Sequence, residues 1–316
     1  MAKSIPGSAF LWQLIKAVRP RQWIKNFALF TGLIFSGQLD NPVATILATK
    51  AFLIFCAASS ATYLLNDCFD VERDRLHPFK SRRPIASGKL PIALAIAIAF
   101  ATIIITLPLS YLVSPALFFG VVVYLLLQLC YSGFLKSVML IDVMTIAAGF
   151  VLRVYSGVWV IDAHLNVWFL LTIVSFALFL AIGKRRSELT LLQAQASKHR
   201  ETLLHYPEEL LDILTSMFAN STWLAYAFFT FLQPAIIARP RLGAILDNLS
   251  LPFAQAKYLM VTIPLVIYGV MRYLYIIYEK KEGESPERVL LTDQPLLIAV
   301  LLWIAMTMGI IYYLGA

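Results

Sequence analysis

The run Ile92-Ala93-Leu94-Ala95-Ile96-Ala97-Ile98-Ala99-Phe100-Ala101-Thr102-Ile103-Ile104-Ile105-Thr106-Leu107-Pro108-Leu109 carries no charge, and apolar and polar side chains do not alternate along it. A transmembrane barrel strand needs about ten residues of alternating character. A helix of about twenty apolar residues crosses the roughly 30 Å of bilayer hydrocarbon. The run therefore reads as a membrane-spanning helix. Working outward, similar stretches lie at 23–40, 44–65, 91–111, 115–132, 138–160, 166–183, 209–233, 257–278 and 294–314. The expected fold is all-α: a polytopic bundle of about nine transmembrane helices, built as a single transmembrane domain over 1–316.

Composition excludes a soluble domain. The 316 residues are 60% hydrophobic and 14% charged, with a mean hydropathy of +0.77, where soluble chains are about half apolar and a quarter charged. Lys3 is not followed by a short apolar core and a small-residue cleavage site before Trp23, so no removable signal peptide is expected. Cys56, Cys68 and Cys130 match neither a zinc pattern nor a secreted disulfide framework and are given no chemistry.

Assigning loops alternately to two sides puts the N-terminus, 66–90, 133–137, 184–208 and 279–293 together. These carry about twenty of the 26 Lys and Arg residues, so the N-terminus is expected in the cytoplasm and the C-terminus outside. The other loops contribute only Arg239, Arg241 and Lys257 as clear positives. For Lys16, Arg19, Lys280 and Lys281 topology and attraction to anionic lipid are a sufficient explanation.

Chemistry concentrates in three cytoplasmic segments. The first reads Asn66-Asp67-Cys68-Phe69-Asp70-Val71-Glu72-Arg73-Asp74. If the helix continues, Asn66, Asp70 and Asp74 recur every four residues on one face, with Asp67 beside them. Such a ladder of oxygens suits Mg²⁺, which takes few carboxylates, keeps waters and bridges to substrate phosphates. Pairing of these acids with Arg73 and Arg75 is the structural alternative. Past Pro78 come Lys80, Arg82 and Arg83, donors that match phosphate as forks or point charges; His77 before Pro78 reads as a turn residue. The second segment holds Tyr131, Lys136 and, at the start of the next apolar run, Asp142, a carboxylate at a membrane boundary and hence a functional candidate. Arg153 lies three turns along the same face, about 16 Å deeper, and is open to a structural partner or a polar cavity. The third segment opens Gly183-Lys184-Arg185-Arg186-Ser187-Glu188 and runs on to Lys198, His199 and Arg200, offering three adjacent cations and one Glu. His164, His199 and His205 read as ordinary loop residues.

Together these motifs resemble a known family. Asn66-Asp67-x-x-Asp70-x-x-x-Asp74 is similar to the signature of the UbiA superfamily of intramembrane prenyltransferases. His77-Pro-x-Lys80-x-x-Arg83-Pro84-Ile85-Ala86-Ser87-Gly88, Tyr131-Ser132-x-x-Leu135-Lys136, Gly149-Phe150-Val151-Leu152-Arg153 and Gly183-Lys184-Arg185-Arg186-x-Glu188-Leu189 resemble its decaprenyl-phosphate phosphoribosyltransferase branch. The likeness runs from Arg19-Pro20-Arg21-Gln22-Trp23 to the last span. It implies a nine-helix, cytoplasm-facing, Mg²⁺-dependent enzyme of the inner or plasma membrane that moves phosphoribose from 5-phosphoribose 1-diphosphate to a polyprenyl phosphate. That chemistry serves cell-wall arabinan precursors. In the wider superfamily the third segment carries a second Asp-x-x-x-Asp; its replacement by Lys184, Arg185, Arg186 and Glu188 favours a donor and acceptor with more phosphate.

The resemblance assigns an active site to 66–90, 131–142 and 183–200. Asp67, Asp70 and Asp74, with Asn66 assisting, would hold Mg²⁺ and neutralise the leaving diphosphate. Lys80, Arg82, Arg83, Tyr131, Lys136, Lys184, Arg185 and Arg186, with Arg153 and Glu188, would bind substrate. Asp142 would bind ribose hydroxyls or orient Lys136, and Lys25 and Asn26 are secondary candidates for the acceptor head group. The acceptor phosphate is already ionised, so no general base is required and positioning carries catalysis; attack at C1 would invert α to β. Expected partners are these two substrates and membrane lipids, not nucleic acid, and a homo-oligomer is left open. An aromatic prenyltransferase on the same fold is the nearest alternative. A transporter is a remote one, because coupling residues would be sought at the midplane in paired repeats, whereas the acids here cluster in one loop.

Overall fold

The computed structural model describes residues 7–76, 80–193, 206–234, 257–280, 283 and 285–314. Among these every regular element is helical: α1 (Gly7–Val18), a 3₁₀ helix (Pro20–Leu29), α2 (Phe30–Phe35), α3 (Pro42–Phe69), α4 (Val71–Leu76), α5 (Ile92–Val113), α6 (Pro115–Gly133), α7 (Ile141–Val160), α8 (Val167–Gln193), α9 (Glu208–Leu232), α10 (Ile263–Tyr275), α11 (Pro286–Thr292) and α12 (Gln294–Met308). Seven helices among the described residues are long and apolar enough to cross a membrane: 42–69, 92–113, 115–133, 141–160, 167–190, 258–280 and 294–314.

Two of the nine expected spans differ. The stretch 23–40 is not one helix: it is the end of the 3₁₀ segment, then α2, then a turn at Gly37, whose φ of 71° ends the helical path. The stretch 209–233 does form α9, 25 residues long. Glu208, Glu209 and Asp212 in its first turns, then Thr215, Ser216, Asn220, Ser221 and Thr222, leave it outside the seven. A third boundary also moves. Helix α8 does not stop near Gly183 but continues to Gln193, so the three cations lie on a helix. Gly183 serves close packing instead, since a Cβ there would lie 2.6 Å from the Ile277 side chain.

The chain divides into two compact units. The first holds α1, the 3₁₀ segment and α3 to α7. Its core gathers Leu29, Leu33, Ala48, Phe55, Ala58, Leu117, Val121 and Tyr124, with a second cluster of Ala61, Leu64, Ile85, Leu90, Ala95 and Ala99 nearer the end of α3. Helix α3 starts cleanly because Pro42 is preceded by Asn41, whose side chain accepts from the N–H groups of Val43 and Ala44. Its 28 residues span about 42 Å. That exceeds the hydrocarbon by about two turns, and the polar residues Asn66 and Asp67 lie at its C-terminal end. The second unit holds α8 to α12, packed around Phe179, Ala219, Val270, Tyr273, Ile276, Ile277 and Val289.

Candidate active site

Helix α3 pauses at Asp70 (φ −94°, ψ 6°) and resumes as α4, yet helical spacing survives: the Asp70 N–H donates to Asn66 O at 2.9 Å and the Asp74 N–H to Asp70 O at 2.8 Å. The four oxygen-bearing side chains do not form the expected single ladder. Asn66 and Asp70 meet the segment after α6: Ser132 Oγ donates to Asn66 Oδ1 at 2.9 Å, and Lys136 Nζ to Asp70 Oδ1 at 2.5 Å. Asp67 and Asp74 instead share Arg83, whose Nη1 donates to Asp67 Oδ1 at 3.0 Å and to Asp74 Oδ2 at 2.5 Å. Helical rotation explains this regrouping. At about 100° per residue, eight steps turn Asp74 some 80° from Asn66, whereas seven steps bring it within about 20° of Asp67.

Asp67 and Asp74 are nearly sealed, at 2% and 4% exposure. Burial pushes the Asp74 carboxyl above the usual carboxylate range, with Arg83 pulling it back. A second cation completes the group: Arg19 Nη2 reaches Asp67 Oδ1 at 2.5 Å. Three carboxylates thus face Arg19, Arg83 and Lys136. The sequence assigned Arg19 to topology alone, although it opens the Arg19-Pro20-Arg21-Gln22-Trp23 motif, which was the available signal. Arg73 is exposed, and Arg75 pairs with Glu72 and the Ala86 carbonyl rather than with the cluster. Lys80 is half-buried and acts electrostatically on Asp74, whereas Arg82 is exposed. His77, Lys198, His199, Arg200, His205, Arg239 and Arg241 lie outside the described residues.

Arg19 is held in an uncommon conformation. Its φ of 55° and ψ of 63° are left-handed, costing a non-glycine residue about 1–2 kcal/mol. The following 3₁₀ segment is pinned along its length. Trp23 Nε1 donates to Ser60 Oγ at 3.0 Å, and Asn26 Nδ2 to Ser59 Oγ and Cys56 Sγ at 3.3 Å each. Arg153 Nε donates to Asn26 Oδ1 at 2.8 Å, while its Nη1 and Nη2 reach Gly149 O and the Tyr124 hydroxyl at 2.7 and 2.8 Å. Contact this close requires Gly157, where a Cβ would sit 2.0 Å from the Leu29 carbonyl oxygen. The candidates Asn26 and Arg153 are therefore brought to each other. Lys25 and Tyr131 are half-buried, and Asp142 is buried in the first turn of α7, just past Leu140 at φ 66°.

In the second unit, Lys184, Arg185 and Arg186 diverge around α8. Arg185 is buried and pairs with Glu188, which Lys184 approaches at 3.9 Å. Arg186 turns to α9, with Asp212 Oδ1 at 2.6 Å from its Nε and Glu208 also bound. Farther on, Asp293 caps α12 through the Leu296 N–H and accepts from Arg272 and Lys280.

No group of three or more His, Cys, Asp or Glu side chains among the described residues converges closely enough to hold a metal alone. The donor set of hard oxygens at Asp67, Asp70, Asp74 and Asn66 fits a different kind of ion. It fits one that takes one or two carboxylates and completes its shell with phosphate oxygens and water, as Mg²⁺ does. Together the paired cations and carboxylates can hold a charged phosphate ester through metal, through guanidinium, or through both.

The UbiA prenyltransferase family matches residues 26–292, most of the chain and all of the carboxylate cluster. The chain belongs to the UbiA prenyltransferase family. Its UbiA relatives include a decaprenyl-phosphate phosphoribosyltransferase of Mycolicibacterium smegmatis, 34% identical over 95% of this chain and 92% of that one. Another, of Corynebacterium glutamicum, is 33% identical over 92% and 84% respectively. Among solved structures, a UbiA homolog from Archaeoglobus fulgidus bound to GPP and Mg²⁺ superposes with a TM-score of 0.66 at 19% identity, covering 95% of this chain and 99% of that one. An apo UbiA homolog from Aeropyrum pernix gives 0.53 at 14% identity, covering 89% and 98%. These structures share the fold. The resemblance read from Asn66 to Asp74 is thus borne out, and with seven apolar helices the UbiA chain is an integral membrane protein.

Proposed function

We propose that the protein transfers 5-phosphoribose from 5-phosphoribose 1-diphosphate to a polyprenyl phosphate of the decaprenyl type, releasing diphosphate. One observation carries the choice of donor: relatives named for this reaction align along 92–95% of the chain at 30–34% identity. The geometry supports the phosphate chemistry. Asp67, Asp70 and Asp74 offer oxygens at one end of α3 with Arg19, Arg83 and Lys136 against them. Bound there, Mg²⁺ would supply neutralisation of the leaving diphosphate. Arg83 and Lys136 orient phosphate oxygens, and Asn66, held by Ser132, assists. Asp142 orients the donor's ribose. Lys184, backed by Glu188, is the α8 cation assigned to a substrate phosphate, with Arg185 supporting it. The positive-inside asymmetry supports a cytoplasmic N-terminus and a cytoplasm-facing active site.

The test pairs two donors. Purified protein with Mg²⁺ receives either labelled phosphoribosyl diphosphate and polyprenyl phosphate, or labelled isoprenyl diphosphate and an aromatic acceptor. Consumption of the first donor alone is expected, and consumption of the second alone overturns the reading in favour of prenyl transfer.

A further inference from the structure

We propose that Arg19 exchanges partners during donor binding, its guanidinium resting on Asp67 in the ligand-free protein and moving to a diphosphate oxygen when metal and diphosphate reach the carboxylates. The inference rests on the reading above in one respect, that the ligand carries a diphosphate. Asp67 Oδ1 receives two guanidinium groups, from Arg19 at 2.5 Å and from Arg83 at 3.0 Å. Arg83 also serves Asp74, and Lys136 serves Asp70. Arg19 is therefore the cation whose removal leaves Asp74 and Asp70 fully partnered. Charge balance points the same way: Arg19, Arg83 and Lys136 paired against three carboxylates, with Lys80 near Asp74, leave little pull on a divalent ion, while moving Arg19 away makes the group one charge more negative.

The side chain is also placed to move. Arg19 is 23% exposed where Asp67 is 2%, so it enters the cluster from the open side. Its guanidinium lies 5.3 Å from the centroid of the Tyr63 ring, a platform that favours the cation independently of Asp67. The planar fork that fits a carboxylate fits two phosphate oxygens equally well. The backbone, by contrast, is fixed: Trp23 on Ser60 and Asn26 on Arg153 hold the segment that follows. A stationary base with a movable cation couples the two ligands. Metal on Asp67 frees Arg19 for diphosphate, and diphosphate drawing Arg19 away exposes Asp67 to metal, a reciprocal linkage.

The test uses binding rather than turnover. Mn²⁺, as a paramagnetic probe, is titrated onto full-length protein by electron paramagnetic resonance, and ³²P-labelled inorganic diphosphate is then titrated in the presence of Mn²⁺. Arg19→Gly removes the guanidinium where φ is 55°, a conformation glycine adopts freely. This variant is expected to bind Mn²⁺ alone several-fold more tightly than wild type and Mn²⁺-dependent diphosphate about ten-fold more weakly, the scale of one hydrogen bond to a charged group. Unchanged affinity for both, in a wild type that does bind metal with diphosphate, overturns the exchange and leaves the reading of function standing. A wild type that binds no diphosphate with Mn²⁺ removes both. Should the glycine variant lose both ligands, Arg19→Lys decides: diphosphate affinity equal to wild type overturns the role of the fork, and a several-fold loss supports it.

Discussion

Arg153 and Asn26, 127 residues apart in sequence, are joined inside the first unit by a 2.8 Å hydrogen bond from Nε to Oδ1. Arg153 is 6% exposed and Asn26 is fully buried. Removing one partner strands the other, so each of Arg153→Gln and Asn26→Ala is expected to lower stability by about 1.5–3 kcal/mol. The double variant should lose less than the sum by about 1–2 kcal/mol, measured as a thermodynamic cycle in detergent. Simple additivity would mean that the bond holds nothing in place.

The carboxylates are expected to separate chemistry from folding. Asp70→Asn keeps the shape and leaves Lys136 without its ion pair. Specific activity should fall at least about a hundred-fold, the range for groups aimed at developing charge, with the melting temperature shifted by only a few degrees. Near-normal turnover in this variant at low Mg²⁺ removes Asp70 from the metal set. Exhaustive EDTA should likewise stop the reaction and Mg²⁺ restore it.

The fold class was legible because a bilayer demands long apolar helices, and runs such as Ile92 to Leu109 admit no other structure. The cluster was legible because Asn66, Asp67, Asp70 and Asp74 sit close together in sequence. What escaped were long-range relationships. Arg19 joins Asp67 across 48 residues, and although it opens the Arg19-Pro20-Arg21-Gln22-Trp23 motif, no local spacing ties it to the carboxylates. The pairing of Asp74 with Asp67 rather than Asn66 depends on a rotation that a four-residue count does not reveal. The division of labour among the α8 cations depends on Glu208 and Asp212 of α9, which helical spacing within α8 cannot supply.

That division gives the third prediction. Arg186 is bound to two carboxylates of α9, whereas Lys184 is 37% exposed and only 3.9 Å from Glu188. Arg186→Ala is expected to lower the melting temperature, with little change in KM for protein that remains folded. Lys184→Ala should raise KM for phosphoribosyl diphosphate roughly ten-fold and leave stability unchanged. Steady-state titration of both substrates beside thermal unfolding checks the split, and equal effects of the two variants on KM would contradict it.

Acid should expose the role of Asp293. Hydrogen bonds from Arg272 and Lys280, with the Leu296 N–H, hold its carboxyl well below the usual carboxylate range despite its burial. A carboxylate more acidic in the folded than in the unfolded chain stabilises the fold above the unfolded value of about 3.9, and this stabilisation fades as pH falls toward the folded value. Asp293→Asn retains a capping oxygen and loses the ion pairs. Its melting temperature should lie below wild type by a constant margin from pH 7 to about 5, and the margin should narrow below about pH 4. No margin at any pH would assign the residue to capping alone, and a margin that stays constant to pH 3 would mean that the carboxylate charge is not what stabilises the fold.

The reaction itself is tested most directly by following two phosphorus atoms of one donor. Phosphoribosyl diphosphate carrying ³²P in the 5-phosphate, or separately in the diphosphate, is incubated with purified protein, Mg²⁺ and polyprenyl phosphate, and the mixture is extracted with organic solvent. Phosphoribosyl transfer predicts that the 5-phosphate label enters the lipid phase while the diphosphate label stays in water as inorganic diphosphate. With Mg²⁺ and both substrates present, absence of the 5-phosphate label from the lipid phase would contradict the account.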